Sequence, residues 1–407
     1  MNELSPRLLE QVKSGVRNEL LGSLLTTGDV IKPPGDGLPR RPLSSREFAT
    51  RDFTSEWFIE SLLVKGQPGV IGGPKKSMKT SLSVDLVISL ASGKPFLGRF
   101  PVLKPRRVCL YSGESGMDTL QETAERICKS KRVDLQAISA YWDPRLPPLN
   151  SEKECKELAK LIEGGKLELV IFDPLYLSLL AASSAKPVNP ANLFEMGPLL
   201  QMISQTCLRA GATPIFVHHT VKMGGNKQPN FKSKYTPIEL DDLSYSGIPE
   251  FARQWLLVNR REEYVPGTGD HDLWMSVGGS AGFSGCWAVD IDEGQIDRNF
   301  SGRGWKVTIR LPSEVHEEAT VRKVLDKQKQ DCTDRTKVLN HLKKRKTPQT
   351  QNDIQDATHI PKARVKAAVE YLIEQCQVEQ ASVIKPSGRG TRAYSGYTIP
   401  KPAKACG

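Results

Sequence analysis

The apolar positions change period several times along the chain. Over residues 5–25, Leu8, Leu9, Val12, Val16, Leu20 and Leu24 recur at the spacing of one helical face. That helix either packs locally or serves as an arm on a neighbouring subunit. VIKPPGDGLPRRPLSS (30–45) then breaks the pattern with prolines and glycines and reads as a linker. From about 55 to 220, short unbroken apolar runs alternate with helical ones. GQPGVIGG (66–73), RRVCLYS (106–112), LELVIFD (167–173) and TPIFVHH (213–219) read as strands. LSVDLVISLAS (82–92), MDTLQETAERICKS (117–130) and LLQMISQTCLRAG (199–211) read as helices. This alternation predicts an α/β fold, a mostly parallel sheet flanked by helices, with its strands buried on both sides.

Beyond 250 the runs shorten. WLLVNRRE, DLWMSVGG, GCWAVDID and WKVTIRL are strands between glycine- and aspartate-rich turns, suited to extending the sheet in antiparallel fashion. The charged stretch 313–332 reads as a linker, and 333–400 as a small C-terminal domain. In that domain DRTKVLNHLKKRK, TQNDIQDATHI (capped by Thr350) and PKARVKAAVEYLIEQCQ (opened by Pro361) are helices. VEQASVIKP and TRAYSGYTIP then form a hairpin around SGRG, so the tail reads as a winged helix. The division is therefore 1–54, 55–312, 313–332 and 333–400.

Composition narrows the classes. Apolar residues are 38% and charged residues 25% of the 407, ordinary for a soluble protein. No apolar run reaches the roughly 18–20 residues of a membrane span, and the first residues hold no apolar signal core. The eight cysteines are scattered without a CxxC pair, which favours neither a zinc ribbon nor a disulfide framework. These features predict a cytoplasmic protein away from membranes. The net charge of +11 favours a polyanionic partner.

The chemistry starts at IGGPKKSMKTSLSV (71–84), a near match to a phosphate-binding loop set between a strand and a helix. Backbone N–H groups at a helix N-terminus wrap phosphate there, Lys79 reaches the β and γ phosphates, and the Thr80 hydroxyl binds magnesium. The contact set is Gly73, Lys76, Ser77, Met78, Lys79, Thr80 and Ser81, with Lys75 adding charge. Met78 stands where a second glycine usually sits. If that position is not held at positive φ, methionine costs little because its side chain points outward, and Met78 is a tolerated variant. YSGES ends the next strand with Glu114, placed to polarise a water aimed at the γ-phosphate. Asp173 ends LELVIFD, where a carboxylate supports magnesium. His218 and His219 sit at the tip of the following strand, where one could sense the γ-phosphate.

In that order, WFIESLLVKGQPGVIGGPKKSMKTS, LYSGES, LELVIFDPL and PIFVHHTVK resemble the RecA-like ATPases of the hexameric plasmid replication helicase RepA and its relatives. The resemblance covers roughly 55–290. It implies a RecA-type core, ATP and Mg²⁺ as cofactors, and a homo-oligomer, often a hexameric ring with ATP bound between neighbours. It carries over Lys79 and Thr80 as phosphate and magnesium ligands, Glu114 as catalytic base, Asp173 as magnesium support, and His218 or His219, with His219 preferred, as sensor. SGIPEFARQWLLVNRR looks like the segment bearing a trans-acting arginine, either Arg253 or Arg260. Met78 departs from the family's loop, and the long tail departs from its core helicases.

Two segments suit DNA. KMGGNKQPNFKSKY (222–235) interleaves Lys222, Lys227, Lys232 and Lys234 with Phe231 and Tyr235, a pattern for single strands in a ring channel. The less charged YLSLLAASSAKPVNPANLFE after Asp173 is a second candidate loop. The tail carries twelve basic against seven acidic residues over 331–400, with Lys362, Arg364, Lys366, Arg389 and Arg392 set for duplex phosphates. The expected function is an ATP-hydrolysing DNA motor or loader in replication or recombination. The alternative is a nucleotide-regulated DNA-binding protein of a mobile element that does not unwind. A small-molecule phosphotransferase is disfavoured, since nothing resembles an acceptor pocket.

Overall fold

The computed structural model describes residues 42–149, 151–180, 189, 192–220, 234–245, 247–295, 302–387 and 390–400. The helix expected over 5–25 and most of the proline-rich stretch lie outside these residues, as do 181–188, 221–233 and the wing tip 388–389. The chain divides into two compact units, 1–310 and 311–407.

The first unit opens on a short helix, α1 (Ser45–Thr50), closed by a capping box between Ser44 and Glu47. A small antiparallel pair follows, β1 (Trp57–Ile59) and β2 (Leu63–Val64). The main elements are then β3 (Gly69–Gly73), α2 (Lys79–Ser92), β4 (Val108–Ser112), α3 (Met117–Lys131), β5 (Ala140–Asp143) and α4 (Glu152–Gly165). They continue as β6 (Leu169–Asp173), α5 (Leu175–Leu180), α6 (Leu193–Arg209), β7 (Thr213–His219), α7 (Ile248–Phe251), β8 (Gln254–Arg260), β9 (Asp270–Gly279), β10 (Phe283–Gly294) and β11 (Arg303–Arg310).

Among the described residues one nine-stranded sheet has the order β11-β10-β9-β8-β3-β7-β6-β4-β5. The six strands from β8 to β5 run parallel, and β9, β10 and β11 add an antiparallel extension. Every residue of β3, β4 and β6 is buried, as expected of strands covered on both faces. One core joins α2 and α3 to the sheet through Leu82, Leu86, Ile127, Ile171 and Met275. The other joins α4 and α6 to the opposite face through Leu158, Ile162, Leu200, Ile203 and Phe172. The expected α/β architecture is present, and it brings the C-terminal ends of β3, β4, β6, β7 and β8 to one edge.

The second unit is a helical array with a small antiparallel sheet. Its elements are α8 (Pro312–Lys343), β12 (Gln349–Thr350), α9 (Gln351–Thr358), α10 (Lys362–Glu374), β13 (Glu379–Ser387) and β14 (Gly390–Thr398). The sheet order is β12-β14-β13. Val338, Leu342, Ile354, Val365, Val369 and Leu372 form its own core. Residues 313–332, expected as a linker, are helical: they form the first turns of α8, which runs on unbroken through the first expected helix of the tail.

Candidate active site

β3 ends at Gly73, and the chain needs a glycine there. A Cβ would lie 2.7 Å from Ser77 Oγ and closer still to the Val258 carbonyl of β8. The loop then doubles back on itself. Ser77 Oγ donates to Pro74 O at 2.8 Å, and Lys79 Nζ donates to Gly73 O at 3.0 Å and Pro74 O at 2.7 Å. Ser81 follows in the first turn of α2.

Met78 corrects the sequence reading. It sits at φ +67° and ψ 14°, in the left-handed region that glycine favours, as the N-cap of α2. Its side chain does not point away; it is partly buried against the core that contains α2. Lys76 is also left-handed, at φ +59°. Such a residue costs roughly 1–2 kcal/mol, offset at Met78 by apolar contact.

Lys79 is buried, and desolvation pushes its ammonium down to about 8 against the opposing pull of Asp173 and Glu114. An ammonium has three hydrogens to donate, and loop carbonyls take two. Asp173 is 3% exposed and accepts from Thr80 Oγ1 at 2.6 Å. Burial pushes its carboxyl up to about 6, opposed by the Thr80 hydroxyl and by Lys79. Its peptide bond to Pro174 is cis.

Glu114 follows β4, whose Ser112 pairs with Asp173 of β6, so the ladder sets the two carboxylates at one edge. Tyr176, in α5, donates its hydroxyl to Glu114 Oε1 at 2.6 Å. That bond to an acceptor carboxylate pushes the phenol up to about 12, which keeps it a donor. Tyr176 escaped the sequence reading because it opens an apolar run, YLSLL, with no motif around it. Residues 176–180 of that run, expected in a DNA-facing loop, are helical.

The two histidines separate by environment. His218 is buried, its Nε2 lying 2.8 Å from Ser244 O and 3.0 Å from Ser244 Oγ. Burial pushes it down to about 4, so the ring is neutral near pH 7. His219 is half-buried beside Gly73 in the β3–β7 ladder, its ring 6.1 Å from that of Tyr176. Burial and the Lys79 charge lower it as well.

The two arginines lie at opposite ends of β8. Arg260, at the C-terminal end, donates Nη2 to the Lys76 carbonyl of its own chain at 2.8 Å and lies over the Tyr264 ring. Arg253 is exposed at the other end, where its N–H bonds Pro68 O and Nη1 reaches Glu250 O at 3.4 Å. The site therefore gathers Lys79, Thr80, Asp173, Glu114, His219 and Arg260, and leaves Arg253 apart. A cavity of about 1070 Å³ opens beside the loop, lined by Lys75, Lys76, Glu114, Tyr176, His219 and Arg260 among others.

The residues fit a magnesium nucleotide. A hydroxyl and a carboxylate, Thr80 and Asp173, are hard-oxygen ligands of the kind Mg²⁺ takes beside its waters and phosphates. Lys79 and the N–H groups opening α2 would hold the phosphates.

Of the DNA candidates, Lys222, Lys227, Phe231, Lys232 and Arg389 lie outside the described residues. Lys234 Nζ lies 5.1 Å from the Tyr235 ring centroid. In the second unit, Lys362 and Lys366 are exposed on α10, with Glu370 3.8 Å from Lys366. Arg392 is exposed beside Tyr394. Arg364 forks onto the buried Asp334 of α8, Nε to Oδ2 at 2.6 Å and Nη2 to Oδ1 at 2.8 Å, so part of its guanidinium is engaged inside the unit while the side chain stays 41% exposed.

Residues 36–225 match the model of a family described as an AAA domain, of RecA-like P-loop ATPases. That stretch holds the loop, Glu114, Asp173 and His219, while β8 with its arginines and the second unit lie beyond it. No curated protein matches the chain. The 36–225 region is a P-loop ATPase domain, which implies the use of ATP and Mg²⁺.

Proposed function

We propose that the chain is an oligomeric, DNA-directed ATPase, a helicase-like motor or loader acting in replication or recombination. The observation that carries this reading is the path of β7. It holds His219 against the Tyr176–Glu114 pair and leads directly into the lysine-rich 222–235 segment. A group beside the γ-phosphate position is thus joined in sequence to a stretch suited to single-stranded DNA.

The roles follow from placement. Glu114 is the base that takes a proton from the attacking water. Tyr176 holds that carboxylate in one orientation. His219 donates to the γ-phosphate oxygen and communicates its loss to the segment behind. Thr80 and Asp173 would hold Mg²⁺, which would supply neutralisation of the phosphate charge. Arg253, exposed and remote from its own loop, is the arginine offered to a neighbouring copy, a contribution worth about 10³–10⁵ in rate where such residues act. The second unit binds duplex through Lys362, Lys366 and the Arg389–Arg392 wing.

The test is ATP hydrolysis with and without single-stranded DNA, followed by displacement of a strand from a fork. Lys79→Ala should abolish turnover, and Glu114→Gln should bind ATP without hydrolysing it. Wild-type turnover no higher than that of Lys79→Ala would sink the site. DNA-stimulated hydrolysis without strand displacement would favour the nucleotide-regulated DNA-binding protein over the motor. Mixing Arg253→Ala with Lys79→Ala should restore activity at hybrid interfaces; a monomeric wild type without complementation would refute the oligomer.

A further inference from the structure

The geometry points to Arg260 as a positioning residue that acts in cis, holding a phosphate loop strained by Met78. The inference rests on the P-loop ATPase reading and departs from the expectation of a trans-acting arginine at this position.

Two of three consecutive loop residues, Lys76 at φ +59° and Met78 at φ +67°, are left-handed and neither is glycine. A glycine would adopt that backbone without steric cost; lysine and methionine do not, so the loop must be held by contacts around it. Internal bonds hold its first half, where Ser77 and Lys79 donate to the Gly73 and Pro74 carbonyls. At the second half, the carbonyl of Lys76, itself a left-handed residue, accepts from Arg260 Nη2 at 2.8 Å. That bond crosses from the end of β8, the strand paired with β3. Arg260 is braced in turn. Its guanidinium carbon is 5.0 Å from the Tyr264 ring centroid, and Tyr264 stacks on His271 of β9 at 5.0 Å and 10°. Its backbone N–H bonds Asn259 Oδ1 at 2.9 Å, and Asn259 Nδ2 is fixed on the Thr236 carbonyl at 2.7 Å. The guanidinium is thus engaged with the loop of its own chain.

The experiment measures ATP affinity and saturated turnover of the full chain for wild type, Arg260→Ala, Arg260→Lys, Met78→Gly and the Met78→Gly, Arg260→Ala double variant. Losing one charge-assisted bond to the loop should weaken ATP binding about tenfold in Arg260→Ala, with a smaller fall in saturated turnover. Arg260→Lys, which keeps a charge and a stem over Tyr264, should fall between, and carries the test should the alanine variant not fold. In the Met78→Gly background, where one of the two left-handed strains is released, the same alanine substitution should cost clearly less than it does in wild type. An equal loss in both backgrounds would overturn the inference. So would unchanged affinity with a collapse of turnover that mixing with Lys79→Ala restores, which is the signature of an arginine acting in trans. A wild type that binds no ATP fails differently, since it removes the nucleotide site itself.

Discussion

At position 78 the usual order of alanine and glycine in helices is reversed. Both replacements remove the methionine side chain and its contact with the core, so their difference isolates the backbone. At φ +67° alanine keeps the left-handed strain and glycine releases it. Met78→Gly should therefore be more stable than Met78→Ala by about 1 kcal/mol in denaturant unfolding, where a helix interior would give the opposite sign. Alanine equal to or better than glycine would show that the strain is absent in solution. Asp173 gives a second prediction. Its folded-state value of about 6 lies above the ordinary 3.8, so the stability it contributes is full below 3.8 and is lost as pH rises through 6. Asp173→Asn cannot ionise. In nucleotide-free protein the stability of this variant relative to wild type should grow between about pH 4 and about pH 7, by on the order of 2–3 kcal/mol. A flat difference across that range would mean the carboxylate titrates as if solvated. Most of the candidate site was legible at this scale, because Lys79, Thr80, Glu114, Asp173 and His219 each lie within two residues of the end or start of an element that the apolar runs mark out. What stayed hidden depends on dihedrals and on partners distant in sequence: the φ of Met78, the reach of Tyr176 across 62 residues to Glu114, and the fork of Arg364 onto Asp334.

The secondary elements divide in the same way. Buried strands announce themselves as unbroken apolar runs, and β4, β6 and β7 follow their runs to within two residues at each end. The first half of α8 does the reverse. VHEEATVRKVLDKQKQD is rich in Glu, Lys, Arg, Gln and Ala, all good helix formers, yet residues 316–330 are exposed on every side. A helix with no buried face has no apolar period, so it reads as a linker. Its start is fixed locally by Pro312 in the first turn and by Glu314 Oε2 accepting from Leu311 N at 2.7 Å. Farther along, the same helix supplies Asp334 to α10, which separates two basic residues that the sequence grouped together. Arg364→Ala leaves a buried carboxylate without its fork and should lower the melting temperature of the second unit, with duplex affinity falling only as that unit unfolds. Lys362→Ala should leave melting unchanged and reduce the salt slope of duplex binding by about 1, as the loss of one phosphate contact requires. If Arg364→Ala reduced the slope with no change in melting, its guanidinium would be a phosphate ligand after all.

On the scale of the whole molecule, the candidate phosphate site falls wholly within one of the two compact units. Every residue of the phosphate site, from Gly73 through Glu114, Asp173, Tyr176 and His219 to Arg260, belongs to 1–310. The strand that closes that unit, β11, ends at Arg310 after contributing Trp305 to its core. Trp305 Nε1 donates at 2.7 Å to Asp85, a wholly buried carboxylate on α2, the helix that begins at Lys79. The natural cut is therefore at 310. A cut nearer 331 leaves half of α8 attached without the core residues Val338 and Leu342 that it packs farther along. A chain truncated after Arg310 should fold, bind ATP and hydrolyse it in a Lys79-dependent way, while losing duplex affinity together with its salt dependence. A further truncation that removes β11 takes away the hydrogen bond and apolar contact beneath α2, and should cost stability and ATP binding together. The measurements are ATP hydrolysis, thermal melting and a salt titration on duplex for the three lengths. Duplex affinity and slope unchanged in the 310 truncation would make the second unit a protein-contact module. Hydrolysis lost in that truncation, with melting intact, would instead make the second unit a required part of the motor.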